Sequence, residues 1–203
     1  MRIICKDIIL RELIESDIEK RIHWETVETE WQLWDAPWDY EGLSEQEKQE
    51  ELDGYRSDLQ KSVERYKNMP EDRIWSVQIE TKDGRYIGWC NSYDIDDNFE
   101  YTEQDGRCTI GINIPDMASR GKGYSYQAWC GFIKHLHANG FSDLYTQTWS
   151  GNQRLIHIAE KIGFEECCRK PSIRFVRGEP YDGLTFRLNW EKFNAFCLNE
   201  NLL

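Results

Sequence analysis

The chain has 203 residues, 39% of them apolar and 13% aromatic, with 37 acidic against 25 basic side chains and a formal net charge of −12. That length suits one generous domain, residues 1–203, and the composition is that of an ordered globular protein. The negative balance argues against nucleic acid, where phosphate neutralisation supplies most of the attraction, and favours a cationic partner.

The opening "MRIICKDIILREL" carries Lys6, Asp7, Arg11 and Glu12, so it lacks the apolar run of a signal peptide, and no later run approaches membrane-spanning length. A soluble, cytoplasmic protein with no membrane partner is expected. The seven cysteines include no C-x-x-C pair, and Cys167 and Cys168 are merely adjacent, which points to reduced thiols without zinc or disulfides. His135 and His137 lie two apart and face different ways on a helix, while His23 and His157 are isolated, so no metal site is expected.

In chain order, alternation predicts a first strand over residues 2–13, and Ser16 with Glu19 forms a capping-box pattern opening a helix through Trp24 and beyond, interrupted by Pro37. Ser44 with Glu47 opens a second, polar helix that runs to about Lys67 and stops before Met69-Pro70. "RIWSVQIET" and "RYIGWCNSYDI" read as strands joined by the turn Lys82-Asp83-Gly84, and "GRCTIGINI" is a third strand after an acidic loop over 94–106.

Next comes "SRGKGYSYQA", a glycine-rich stretch at the mouth of a helix whose inner face is Ala128, Trp129, Phe132, Ile133 and Leu136 and whose stop is Asn139-Gly140. "DLYTQTW" is a strand, a short helix runs from Asn152 to Ile162 with Leu155, Ala159 and Ile162 inward and Gly163 as cap, and residues 164–177 and 183–190 close the chain as strands. This order predicts an α/β (α+β) fold, a mixed sheet with helices on its faces, with one strand-helix-strand crossover over residues 107–149.

Two regions carry chemistry. A helix N-terminus offers unpaired N–H groups and a positive dipole end, so Gly121 and Gly123 would let an anion approach the backbone, and Arg120 and Lys122 add charge there. The stretch has neither the Walker spacing nor three Rossmann glycines. The other region is "WETVETEWQLWDAPWDY", inside a segment from Glu25 to Asp58 that holds twelve carboxylates against Lys48 and Arg56, a balance of −10. Trp34, Trp38 and Asp39 are candidate substrate contacts, since aromatic faces and carboxylates suit a cation. The same acids also fit a solvated helical face, and the seven-residue spacing of Trp24, Trp31 and Trp38 also fits core packing.

The glycine stretch, read as Arg120, Gly121, Lys122, Gly123, Tyr124 and Ser125, resembles the acyl-CoA pyrophosphate loop of the GNAT superfamily of N-acetyltransferases, with Ser in the final Gly/Ala position. "NQRLIHIAEKIGF" resembles the second half of that cofactor core. With "IILRELIESDI" and "YDGLTFRLNWEKF", the chain is most similar to the Rim-type branch, named for ribosomal-protein N-terminal acetyltransferases, over almost its whole length and least at residues 26–72.

The resemblance implies a mostly antiparallel sheet with a splayed central strand pair, acetyl-CoA as co-substrate, and pantetheine pairing with backbone at Ile112, Asn113 and Ile114. It further implies pyrophosphate on the 120–125 amides and Asn152 against the cofactor arm. Direct transfer needs a neutral amine and a proton for the departing thiolate, so the expected base is Asp35 or Asp116 and the expected acid Tyr124 or Tyr145. Where many relatives have Glu and Tyr, this chain has Thr109 and Ala159, and Leu155 stands where some Rim-type members have Ser.

The expected acceptor is a cationic amine: a protein N-terminus, a polyamine or an aminoglycoside. A non-catalytic acyl-CoA-binding module and, further off, a nucleotide-binding protein remain alternatives. Assembly as a homodimer is compatible with the sequence and is not read from it.

Overall fold

The computed structural model of the chain describes residues 1–39, 41–68 and 76–202. The first expected strand divides into β1 (Arg2–Ile4) and β2 (Ile8–Arg11), because the Cys5 amide turns back to the Ile8 carbonyl at 3.0 Å and folds the segment into an antiparallel pair. Helix α1 (Ile18–Thr26) follows a 3-10 turn over Glu15–Asp17. Its entry is held not by Ser16 and Glu19 but by Asp17, whose carboxylate accepts from the Ile14 amide at 3.0 Å and forms a two-pronged ion pair with Arg11. Arg11 also reaches Glu80, so a buried charge cluster pins the start of α1 to the sheet.

The helical region does not continue to Pro37. It ends at Thr26 and is followed by two 3-10 turns, Thr29–Leu33 and Pro37–Asp39; we call the whole stretch 29–39 the strap. Helix α2 (Glu45–Asn68) opens with the full capping box expected of Ser44 and Glu47: the Glu47 carboxylate accepts from the Ser44 amide at 2.8 Å, and the Ser44 hydroxyl accepts from the Glu47 amide at 3.3 Å. The expected stop at Met69-Pro70 and the expected strand start at Arg73–Trp75 lie outside the described residues.

Strands β3 (Ser76–Thr81) and β4 (Tyr86–Ile95) form the expected hairpin, with Gly84 at φ +85°. The acidic loop contains a short strand that patterning does not reveal, β5 (Tyr101–Thr102), paired with β4. Then come β6 (Arg107–Asn113), α3 (Tyr124–Ala138), β7 (Leu144–Trp149), α4 (Gln153–Ile162), β8 (Phe164–Val176) and β9 (Glu179–Leu188). A last helix, α5 (Trp190–Asn199), was not expected; Asn189 caps it by accepting from the amides of Glu191 and Lys192.

The sheet runs β1-β2-β3-β4-β6-β7-β9-β8, antiparallel throughout except for the β6–β7 pair. One face is covered by α3, α4 and α5, whose Trp129, Phe132, Ile133, Ile162 and Phe193 are almost wholly buried with Ile8, Leu10, Ile79 and Ile110 of the sheet. Leu13, just after β2, packs with Ile18 and Ile22 of α1 and Leu59 and Val63 of α2 in a second, smaller cluster. No helix among the described residues is long and apolar enough to cross a membrane.

Candidate active site

The site begins with a divergence of two strands. Strand β6 pairs with β4 along its whole length, from Ile95–Arg107 to Trp89–Asn113, but with β7 only at Cys108–Leu144 and Thr109–Tyr145. Beyond that point the two parallel strands separate, and the edge of β6 from Ile112 onward is left facing a cavity of about 1550 Å³. The Thr146 hydroxyl donates to the Ile110 carbonyl at 2.8 Å and closes the base of the wedge.

At the end of β6 the chain crosses a 3-10 turn over Met117–Ser119 into the glycine stretch. Gly121 and Gly123 stand at φ +74° and +76°, a left-handed conformation that glycine adopts without strain, and a Cβ on either would meet nothing within 4 Å. Gly123 is the N-cap of α3, and no side chain among the described residues caps that first turn, so its amides remain for an anion.

The residues expected to hold the cofactor therefore converge. Ile112, Asn113 and Ile114 line the cavity from β6; Arg120, Gly121, Gly123, Tyr124 and Ser125 line it from the loop and α3; Asn152 lines it from the start of α4. Asn152 is the N-cap of α4, its Oδ1 accepting from the Leu155 amide at 3.1 Å. Lys122 does not line the cavity; its side chain is exposed.

Asp35 also lines the cavity, with solvent reaching it from the open space and protein enclosing it on other sides. Enclosure raises its pKa above the ordinary value, a hydrogen bond from Asn113 Nδ2 at 2.8 Å pulls it down, and the Asp39 charge raises it again. Trp34 lies beside it, its ring covered by the Arg154 guanidinium at 4.0 Å.

Other expected residues lie elsewhere. Asp116 is outside the cavity, paired with Arg85 at 3.0 Å and accepting from the Ser119 hydroxyl at 2.5 Å, so it stabilises the turn after β6. Tyr145 is buried at the closed end of the wedge, where its hydroxyl donates to Asp143 at 3.0 Å and where Phe99 packs on its ring. It is not placed to reach the cavity. Trp38 and Asp39 do not line the cavity; Trp38 meets Trp149 edge-to-face, with the Arg174 guanidinium over the Trp38 ring. Trp24 and Trp31 pack with Trp89 and form a third buried cluster.

The cavity also holds residues that sequence reasoning missed. On β4, the alternate positions Trp89, Asn91 and Tyr93 face it, a period-two signal present in "WCNSY" but without a motif to mark it. Glu25 lines it as well, raised in pKa by burial, lowered by Gln32 and Arg21 and raised again by Asp35. The Tyr55 phenol is pushed up to about 12 by burial. Arg21 is 6% exposed, stacked on Trp89 at 3.4 Å, and its Nε and Nη1 have no hydrogen-bond partner among the described residues.

Residues 7–165 match the family described as Acetyltransferase (GNAT) domain. The chain belongs to the GNAT family, and with it to the acetyl-CoA-dependent N-acetyltransferases. None of the curated proteins matches it.

Among solved structures the fold is similar to a GNAT-family acetyltransferase from Bacillus anthracis, at 13% identity and a TM-score of 0.67, covering 94% of this chain and 99% of that one. It is equally similar, at 14% identity and 0.67, to RimL, a ribosomal L7/L12 α-N-protein acetyltransferase in complex with coenzyme A, over 92% of this chain and 97% of that one. A chimera of the spermidine N-acetyltransferase SpeG from Vibrio cholerae and hSSAT matches at 15% identity and 0.62, over 93% and 99%.

Proposed function

We propose that residues 1–203 act as one acyltransferase domain that moves the acetyl group of acetyl-CoA to a primary amine of a cationic acceptor, with Asp35 as the base. The observation that carries this reading is the position of Asp35: a carboxylate with raised proton affinity on the cavity wall, held by Asn113 of the very strand that the resemblance assigns to the cofactor.

The chemistry sets what the chain must do. Acetyl-CoA, when bound, supplies an activated thioester; the acceptor must arrive as a free amine. An alkylammonium with a pKa of about 10.4 is almost wholly protonated at neutral pH, so a carboxylate has to take a proton before attack, and the enclosure that raises the pKa of Asp35 moves it toward that task. Tyr124, at the first turn of α3 and on the cavity wall, is the side chain proposed to return a proton to the sulfur.

Glu25 and Trp34, with Glu45 and Glu51 of α2 further along the same cavity, give the acceptor side a negative and aromatic lining. That lining supports a cationic acceptor, which the named relatives present in two forms, a protein N-terminus and spermidine.

The test is release of CoA thiol from acetyl-CoA with spermidine, aminoglycosides, and peptides bearing free N-termini or lysines, against a control without acceptor. Acceptor-dependent release is expected. Binding of acetyl-CoA with silence across the panel would replace the enzyme by an acyl-CoA-binding module, the reading that Thr109 and Ala159, both buried, leave open.

A further inference from the structure

Side chains on the cofactor side of the cavity, three of them on residues that the cofactor reading names, are already in use. Arg120 donates through Nε to the Ile114 carbonyl at 3.1 Å and forms an ion pair through Nη1 with Glu30 of the strap. Arg154 pairs with the other Glu30 oxygen at 3.2 Å. Asn152 Nδ2 donates to the Trp34 carbonyl at 2.9 Å, and Asn113 Nδ2 donates to Asp35 at 2.8 Å. Residues 30–35 thus hold three cofactor residues at once, and Glu30 is the only carboxylate of the strap among the described residues that neutralises two guanidiniums beside the glycine loop.

The Glu30 carboxyl is well placed to remain charged. Burial raises its pKa, but hydrogen bonds from Arg120 and from Trp34 Nε1, with the charges of Arg120 and Arg154, bring it below the ordinary value. A carboxylate on two arginines is the chemical counterpart of a phosphate on the same pair, since both offer charged oxygens to the guanidinium fork.

We propose that Glu30 is a positioning residue, an internal anion that occupies Arg120 and Arg154 until the phosphates of acetyl-CoA displace it. Because Trp34 Nε1 is bonded to Glu30, displacement also loosens the strap at Trp34 and Asp35, while the Trp34 carbonyl stays bonded to Asn152 and Trp149 and keeps the strap over the cavity. The inference rests on the cofactor reading above.

Two ligands separate this role from a structural one. Coenzyme A carries the phosphates; S-acetylpantetheine lacks them. In Glu30→Gln, coenzyme A binds about fivefold more tightly by calorimetry, the scale of a partly exposed ion-pair competition removed, and S-acetylpantetheine binds as it does to the wild type. Hydrogen exchange at the Trp34 and Asp35 amides, both bonded to the Trp31 carbonyl, reads the strap: coenzyme A speeds it in the wild type, and in Glu30→Gln it is fast beforehand.

Unchanged or weaker coenzyme A binding by the variant, or an equal change for both ligands, overturns the proposal. So does strap exchange that ignores coenzyme A. Failure of the wild type to bind coenzyme A at all would instead remove the cofactor reading itself.

Discussion

The side-chain amide of Asn113, at the end of β6, donates to the Asp35 carboxylate at 2.8 Å across 78 residues of chain. The bond joins the strap to the free edge of the splayed strand, where the thioester is expected. It also fixes which oxygen of Asp35 is occupied and leaves the other for an acceptor amine or a water between them.

Replacing Asp35 by Asn keeps this geometry, because the new amide oxygen can still accept from Asn113. The base is lost, so kcat/KM is expected to fall by about a hundredfold or more. In the wild type the rate should fall as pH drops through the Asp35 pKa, which lies above its ordinary 3.8, and this limb should vanish in the variant. The stability sign is opposite. A carboxyl with a raised folded pKa favours the neutral form, so its contribution is present at low pH and lost as pH rises through that pKa. Asp35→Asn should therefore keep or raise the melting temperature at pH 7; a lower one would show that Asp35 is structural.

The two tyrosines separate by position. Tyr145→Phe removes a hydroxyl whose hydrogen-bond partner among the described residues is Asp143, and should cost about 1 kcal/mol of stability while leaving kcat within about twofold. Tyr124→Phe should leave stability nearly intact and lower kcat by about tenfold or more, if its hydroxyl returns the proton. Steady-state kinetics with thermal melts on both variants checks the pair, and the reverse ranking would put the acid at the closed end of the wedge.

The parts of the fold that were legible are those written over short distances. The Ser44–Glu47 box, the Gly163 cap and the crossover with its glycine loop each depend on neighbours within a few residues, and each stands where the sequence put it. The strap was not legible. Glu30 meets Arg120 across 90 residues and Asn152 meets Trp34 across 118, and the acidic and aromatic residues that make these contacts read equally well as a solvated helix face. Helix α5 was missed for a different reason: "NWEKFNAFCLN" follows a strand without a glycine or proline break, and the Asn189 cap is the only local mark of its start.

Two glycines predict different failures. A Cβ at Gly88 would stand 2.1 Å from the Asn113 carbonyl oxygen and 2.9 Å from the Ile114 Cα, both backbone atoms that cannot swing aside. Gly88→Ala should force β4 from the free end of β6, costing about 1–3 kcal/mol and weakening acetyl-CoA binding with it. Gly123→Ala meets open space and pays only for its positive φ, about 1 kcal/mol, so the protein should fold normally. Its new methyl group would still crowd an anion at the loop. Denaturant melts beside acetyl-CoA calorimetry distinguish the two, and a Gly123→Ala protein with undiminished acetyl-CoA affinity would move the phosphates away from this loop.

Asn152 serves two partners with two ends of one amide, and substitution can take them apart. Its oxygen caps α4 at the Leu155 amide, and its nitrogen donates to the Trp34 carbonyl, which also accepts from Trp149 Nε1 at 2.8 Å. Asn152→Ala loses both and should cost about 1 kcal/mol from the cap alone. Asn152→Asp keeps an acceptor for the cap and places a negative charge at the positive end of α4, which favours the helix. The atom facing Trp34 becomes an oxygen, however, and two acceptors repel. The aspartate variant should therefore keep the cap that the alanine variant loses, at some cost from the buried repulsion, yet lose activity as the alanine variant does, because the strap is less firmly held over the cavity. If the aspartate variant were fully active, Trp34 would be held by Trp149 alone, and Asn152 would matter to the cap and not to the acceptor side.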